Sequence, residues 1–173
     1  MKIALTQWIL MIILAIAFVT DVKWRKIYNW SLMPGVVFGL GYHGYTAGLP
    51  GLVESGQGLL LGIGLLFIPY ALGGLGAGDV KLLGTVGALM GSYFVWQAFL
   101  FTALMGGLLA LGYLIYYKAL AKTIKRIGVA IYVGFLTKFK LNTMGNLEET
   151  AISNTFPYGI AIVGGTLFTL LMR

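Results

Sequence analysis

The sequence opens on an apolar run that ends in a charged cluster, and residues 3–26 read IALTQWILMIILAIAFVTDVKWRK. No charged residue lies between Ile3 and Thr20, and about 20 apolar residues are enough for a helix to cross a bilayer. The charged residues that follow are Asp21, Lys23, Arg25 and Lys26. Because basic residues hold the end of a span at the cytoplasmic side, we predict a membrane helix over 3–20 with its N-terminus outside.

The composition of the whole chain agrees with a membrane protein. Of 173 residues, 59% are hydrophobic and 10% are charged, and the mean hydropathy is +0.91. Soluble domains usually carry about 25% charged residues. The 26 glycines fit a bundle in which membrane helices approach closely. We therefore predict an all-α polytopic bundle that forms one integral-membrane domain over residues 1–173.

Together with this first run, the other apolar runs of the chain predict about six transmembrane helices. The predicted spans are Ile3–Thr20, Trp30–Ala47, Gln57–Leu72, Val80–Gly91, Val95–Tyr117 and Pro157–Met172. The fourth is short, so it either stops inside the membrane or extends over 92–94. Asn29 or Ser31 is a candidate cap for the second span. An Ala15-Ile16-Ala17 step leaves open the alternative that the first span is a cleaved signal peptide.

The basic residues follow the odd-numbered spans. The net charge of +7 is distributed as the positive-inside rule requires, so we do not expect nucleic acid as a partner; the lipid bilayer is the expected environment. With those loops in the cytoplasm, both termini lie outside. Residues 118–155 form a predicted cytoplasmic segment. Its apolar run, 127–136, is predicted to be an interfacial amphipathic helix or, alternatively, a lipid-anchoring loop.

Two of the five acidic residues, Asp21 and Asp79, lie at the ends of predicted spans. Ionisable groups at membrane depth are costly and usually functional. The predicted topology places both aspartates at the cytoplasmic face, where folding can bring them together. Two adjacent carboxyl groups tend to share one proton. The ionised member can then activate water while the protonated member binds a carbonyl oxygen, as in aspartic proteases.

Glycines precede Asp79, since residues 73–83 read GGLGAGDVKLL. Gly76 and Gly78 allow a close approach of another backbone, and no Gly-Lys-Ser/Thr follows, which excludes a phosphate-binding loop. An N-capping role is the alternative for Asp79. Lys81 and Asn29 are candidate substrate-binding or site-shaping residues. The alternatives for them are a positive-inside anchor and a helix cap.

Both aspartate segments resemble motifs of the type IV prepilin peptidases. Gly76-Ala77-Gly78-Asp79 resembles the GxGD motif, and residues 21–29, DVKWRKIYN, resemble the family's other aspartate motif, with Tyr28 where the family has Pro. Residues 157–161, PYGIA, resemble the Pro-aromatic-Gly element that opens the last span.

The resemblance implies a GxGD aspartyl endopeptidase with Asp21 and Asp79 as the catalytic pair. It also implies prepilin-like substrates, cleaved at the cytoplasmic face of a bacterial inner or plasma membrane. The absence of Cys makes the chain similar to the short, peptidase-only form found with tight-adherence pili. Presenilin-like proteases share GxGD, but their Tyr-Asp and Pro-Ala-Leu elements do not occur here.

A small ion- or proton-coupled transporter, or a non-catalytic membrane assembly subunit, is the competing interpretation of the two aspartates. GxxxG steps at Gly35/Gly39 and Gly58/Gly62 predict tight helix packing under either interpretation. We find no internal repeat of the kind that transporters often carry. His43 is the only histidine and falls near the outer face, so we expect no metal site and no cofactor.

Overall fold

The computed structural model describes residues 5–116 and 158–172, and within these ranges every regular element is a helix. The five helices are α1 (Leu5–Trp24), α2 (Asn29–Ala71), α3 (Ala77–Met90), α4 (Ser92–Tyr116) and α5 (Gly159–Leu171). The all-α prediction is confirmed for this part of the chain. By length and composition, α1, α2 and α4 can each cross a membrane, and α5 is a shorter apolar helix. The count of six spans stays a prediction.

Helix α2 is interrupted at Gly48. This residue has φ 64° and ψ −146°, a conformation that glycine adopts readily and other residues avoid. A Cβ on Gly51 would overlap the carbonyl group of His43, so the chain has turned back on itself. Residues 29–47 and 49–71 correspond to the predicted second and third spans. The part over 49–71 begins earlier than the predicted third span, which started at Gln57, because the chain reverses at the single residue Gly48.

Helix α3 lies at the centre of the bundle, and ten of its 14 residues are buried. A helix that is apolar all round is typical of a core element. Glycines of α2 allow its close approach: a Cβ on Gly39 would overlap the Ala88 carbonyl, and one on Gly62 would overlap that of Leu83. Gly35 and Gly58 also face α3. The prediction that the GxxxG steps pack tightly is confirmed.

The predicted fourth span corresponds to α3, which ends at Met90. Gly91 follows with φ 86°, and α4 begins at Ser92. Residues 92–94 therefore start the next helix instead of extending α3. A helix of 14 residues rises about 21 Å, which is shorter than the roughly 30 Å of hydrocarbon in a bilayer.

Helices α1 and α5 pack beside α3 and complete the core. Fully buried side chains come from all three helices and include Leu10, Leu14, Leu82, Leu83, Val86 and Ile162. Helix α4 contacts α5 where Gly165 faces Thr102, since a Cβ there would lie 2.6 Å from the Thr102 hydroxyl oxygen. Close glycine contacts thus join α5 to α4 as they join α2 to α3.

Two compact units divide the chain. The first, residues 1–106 and 155–173, contains α1 to α3, α4 as far as Gly106, and α5. Of the second, residues 107–154, the structure describes the continuation of α4 to Tyr116. The predicted amphipathic run at 127–136, and the rest of the predicted cytoplasmic segment at 118–155, lie outside the described residues.

Candidate active site

Asp21 lies in the last turn of α1, because this helix continues past Thr20 to Trp24. Its side chain is 6% exposed. The helix ends where Arg25 adopts a positive φ of 52°, and the Arg25 N–H donates to the Asp21 carbonyl oxygen at 2.8 Å. The chain then turns into the short connection to α2. Asp21 is therefore held by regular helix on one side and by a tight turn on the other.

Asp79 lies in the first turn of α3, and its side chain is 8% exposed. The N-cap position belongs to Gly76, so the alternative that Asp79 is itself the N-cap is wrong. The two residues bind each other. The Gly76 N–H donates to Asp79 Oδ2 at 3.0 Å, and the Asp79 N–H donates to the Gly76 carbonyl at 3.1 Å. This pair of bonds fixes the carboxyl group at the start of the helix.

One pocket of about 340 Å³ receives both carboxyl groups. Its lining consists of the end of α1, the connection to α2 and the start of α3. The lining residues are Asp21, Arg25, Lys26, Ile27, Tyr28, Asn29, Gly76, Ala77, Gly78 and Asp79. Folding thus brings together the two aspartates that the sequence singles out, at an end of the bundle that also carries basic side chains. Their catalytic role stays a prediction.

Gly78 and Gly76 shape the wall of this pocket. A Cβ on Gly78 would lie 2.9 Å from the Ile27 Cβ and 3.3 Å from the Ile27 carbonyl oxygen. Any larger residue would push the start of α3 away from the connection that follows α1. The two segments that carry the aspartates are therefore in contact through Gly78, and its site-shaping role stays a prediction.

The environment of Asp79 disfavours its charged form. Asp79 lies one residue before Val80, where the predicted fourth span begins, so it is outside that span. Burial and, to a smaller extent, the nearby charge of Asp21 together raise the pKa of Asp79 to about 6, against the opposing effect of the Gly76 hydrogen bond. Burial and a like charge are the expected causes of such a shift. Near pH 6 this carboxyl group can therefore both donate and accept a proton.

Asn29 and Lys81 bind each other at the edge of the site. Asn29 is the first residue of α2, and the N-cap is Tyr28, which makes no side-chain capping bond. The prediction that Asn29 or Ser31 caps this helix is therefore wrong. Instead, Lys81 Nζ donates to Asn29 Oδ1 at 3.0 Å. Asn29 lines the pocket, whereas Lys81 does not.

The start of α5 is a part of the site that the sequence analysis did not assign. A Cβ on Gly159 would lie 2.5 Å from Asp21 Oδ2, and the backbone N–H groups of Gly159 and Ile160 lie beside the Asp21 carboxylate. The Tyr158 ring packs on Gly106 of α4, and its hydroxyl group interacts electrostatically with Asp79. The signal in the sequence is Pro157-Tyr158-Gly159, which resembles the Pro-aromatic-Gly element that opens the family's last span.

His43 lies at the other end of α3, where its Nε2 is 3.0 Å from the Leu89 carbonyl oxygen. It does not line the pocket of the aspartates, as its position in the predicted topology required. Glu54 lies at the same end, with Oε1 2.8 Å from where a Cβ on Gly91 would be. These two ionisable side chains therefore belong to a region separate from the aspartate pair.

Comparison with known protein families gives one match. The family model of the type IV leader peptidase family matches residues 8–111, which is more than half of the chain and includes both aspartates. No curated protein and no solved structure matches the chain. The start of α5 lies beyond the matched residues, so its place beside Asp21 comes from the structure alone.

Proposed function

This chain belongs to the type IV leader peptidase family, a family of proteases, and we propose that it is an aspartic endopeptidase. Its proposed substrates are prepilin-like precursors, from which it removes the leader peptide at the cytoplasmic face of a bacterial inner membrane. The observation that carries the proposal is the shared pocket: Asp21 and Asp79 come from different helices, are both largely buried and line one cavity.

The chemistry requires one carboxylate and one carboxylic acid at the same time. The raised pKa of Asp79 and the charge interaction with Asp21 favour such a state, because two close carboxyl groups do not readily ionise together. A peptide bond in the pocket would then meet a base for water and an acid for its carbonyl oxygen. No covalent intermediate is needed.

The pocket also suits an extended peptide. One wall is the glycine-containing start of α3, where Gly76 lines the cavity without a side chain and Gly78 lets the segment at Ile27 pack directly against the helix. Arg25 and Lys26, which also line the pocket, support the cytoplasmic orientation through the positive-inside rule. Similarity to the short family form, with no Cys in the sequence, supports leader removal without methylation.

The experiment is co-expression with a prepilin-like substrate, followed by detection of the shortened product. We expect Asp21→Asn and Asp79→Asn each to lower the rate by at least about 10³-fold, because the two groups act as a unit. Glu54→Gln is the matched control, since it removes a carboxylate that lies outside the pocket, and it should retain cleavage. Persistent cleavage in either aspartate variant contradicts the proposal and favours a proton-carrying role for the pair.

A further inference from the structure

The start of α5 treats the two aspartates differently, and we infer that Asp21 is the ionised member of the pair while Asp79 carries the proton. Asp21 is then the base that activates water, and Asp79 is the acid that protonates the substrate carbonyl. The assignment of these two roles rests on the proposed peptidase function, whereas the position of the proton follows from the surroundings of each carboxyl group.

One oxygen of Asp21 is enclosed. Asp21 is 6% exposed, its Oδ2 atom is buried, and no described residue donates a hydrogen bond to this atom. The same atom faces the N-terminus of α5, because a Cβ on Gly159 would lie 2.5 Å from it. Glycine is therefore the residue that lets this helix start directly against the carboxyl group.

A helix N-terminus offers hydrogen-bond donors and a positive partial charge. The nearest groups are the N–H groups of Gly159 and Ile160. A proton on Oδ2 would meet donors and find no acceptor, so its hydrogen-bonding capacity would be lost. A negative charge in the same place is stabilised by the helix. The 13 residues of α5 make it long enough to carry a macrodipole.

Asp79 also lies at the start of a helix, in the first turn of α3, but fewer donors and no described basic side chain act on its carboxyl group. Its Oδ2 accepts one hydrogen bond, from the Gly76 N–H at 3.0 Å, and its other oxygen can carry a proton toward the pocket. The Asp21 charge lies close enough to raise the pKa of Asp79. Asp79 is therefore the aspartate whose protonated, neutral form costs less free energy.

The charged and titratable groups around the pair are consistent with this order. Burial disfavours the charged form of Asp21, whereas the Gly159 and Ile160 N–H groups and the Arg25 guanidinium group favour it. Lys26 lines the same pocket. Tyr158 interacts electrostatically with Asp79, and a neutral phenol is compatible with a neutral carboxyl group. Lys81 is bound to Asn29.

The proton transfers follow from this assignment. Asp21 takes a proton from water as the water oxygen bonds to the scissile carbonyl carbon, and Asp79 gives its proton to the carbonyl oxygen, which forms a neutral gem-diol. Asp21 then returns its proton to the amide nitrogen as the C–N bond breaks. Asp79 regains a proton from one hydroxyl group as the new carboxyl group forms. Both aspartates end in their starting states, and one water has been consumed.

The chain allows a direct test because it contains only two aspartates. Protein labelled with ¹³C at the aspartate side-chain carboxyl carbon gives two NMR signals, which Asp21→Asn and Asp79→Asn assign. As the pH is lowered in a lipid nanodisc, we expect the Asp79 signal to change first. The Asp21 signal should follow at least about one pH unit lower.

Gly159→Ala tests the cause. Its Cβ would displace the Asp21 carboxylate from α5, so the Asp21 signal should titrate about 0.2–0.7 pH unit higher, which corresponds to the usual effect of a helix terminus. Gly164→Ala is the control on the same helix, because its Cβ meets the flexible end of Met105, at 2.7 Å. It should leave both signals unchanged.

The inference is overturned if the Asp21 signal changes first, if both signals change together, or if Gly159→Ala leaves the Asp21 titration unchanged. Should Gly159→Ala fail to fold, the titration of the unmodified chain still decides the order. The proposed function fails separately, through absence of prepilin cleavage by the unmodified protein, and that result leaves the order of protonation intact.

Discussion

At its N-terminal end, α3 presents the Asp79 carboxyl group to a pocket of about 340 Å³, whereas at its C-terminal end the last carbonyl groups are bound by side chains of α2. There, Ser55 Oγ donates to the Ala88 carbonyl at 2.7 Å, and His43 Nε2 lies 3.0 Å from the Leu89 carbonyl oxygen. We refer to these regions as the pocket end and the closed end of α3.

The two ends of α3 differ in which groups bind the backbone groups that have no partner within the helix. The last four carbonyl groups of a helix have no partner within it, and lipid supplies no water to bind them. At the closed end, residues from both parts of α2 supply donors instead. At the pocket end the Asp79 carboxyl group accepts a hydrogen bond from the Gly76 N–H, and the cavity lies beside it. One end of the helix is thus closed by side-chain hydrogen bonds, and the other places the Asp79 carboxyl group beside a cavity.

The strongest test of this contrast is Gly87→Ala, near the closed end. A Cβ on Gly87 would overlap the Gly58 carbonyl oxygen and lie 3.1 Å from the Leu59 nitrogen. Backbone cannot move aside as a side chain can, so we expect a loss of about 2–3 kcal/mol in the free energy of unfolding. Denaturant titration in detergent measures it, and cleavage per folded molecule should stay unchanged.

Gly64→Ala is the matched control for that substitution. Gly64 is an exposed residue of α2, and a Cβ there has no neighbour within 4 Å. Alanine in a helix is more stable than glycine by roughly 0.5–1 kcal/mol, so this variant should be at least as stable as the original chain. Equal destabilisation of both variants would show that the contact of α2 with α3 is not the cause.

Much of this arrangement could be predicted from the sequence. The apolar runs located all five described helices, because a lipid-facing helix must be apolar over its length. The positions of Asp21 and Asp79 at the ends of such runs predicted that folding brings them together, and both line one pocket. The glycine steps at Gly35/Gly39 and Gly58/Gly62 indicated close packing, which the contacts with α3 confirm.

What the sequence did not reveal depends on contacts between distant residues. The place of Gly159 against Asp21 follows from how α5 packs on α1, and no local pattern encodes that. The bond from Lys81 to Asn29 joins residues of two helices, whereas local propensity suggested a cap for Asn29. The predicted spans left a loop over residues 48–56, whereas the chain reverses at Gly48. One glycine among helix-compatible neighbours gives only a weak turn signal.

A second, smaller effect is expected from Ser55→Ala at the closed end. Ser55 is fully buried, and its removal leaves the Ala88 carbonyl oxygen without this donor. An unsatisfied buried polar group costs about 1–3 kcal/mol, and we expect a loss of about 1–2 kcal/mol in the free energy of unfolding, with cleavage per folded molecule retained.

Thr46→Val is the control for Ser55→Ala. Thr46 is exposed, and its hydroxyl group donates to the Tyr42 carbonyl of its own helix at 2.8 Å, so its loss should change stability by less than about 0.5 kcal/mol. If Ser55→Ala instead lowers cleavage and leaves stability intact, the closed end takes part in the reaction and the contrast between the two ends is wrong.

The smallest effect is expected at the edge of the pocket end, from Lys81→Met. Lys81 is exposed, and its bond to Asn29 Oδ1 at 3.0 Å joins the start of α3 to the start of α2. Exposed charged interactions contribute about 0.2–1 kcal/mol, so kcat/KM for prepilin cleavage should fall about two- to five-fold.

The Asn29→Ala variant should show a similar loss, and the double variant should lose little more than either, because both remove one bond. Lys23→Met, which removes a lysine that lies over the Trp24 ring and outside the pocket lining, should leave cleavage unchanged. A fall as large as that expected for Asp79→Asn would instead place the Lys81 ammonium group among the reacting groups, and additive losses in the double variant would show that the two side chains act separately.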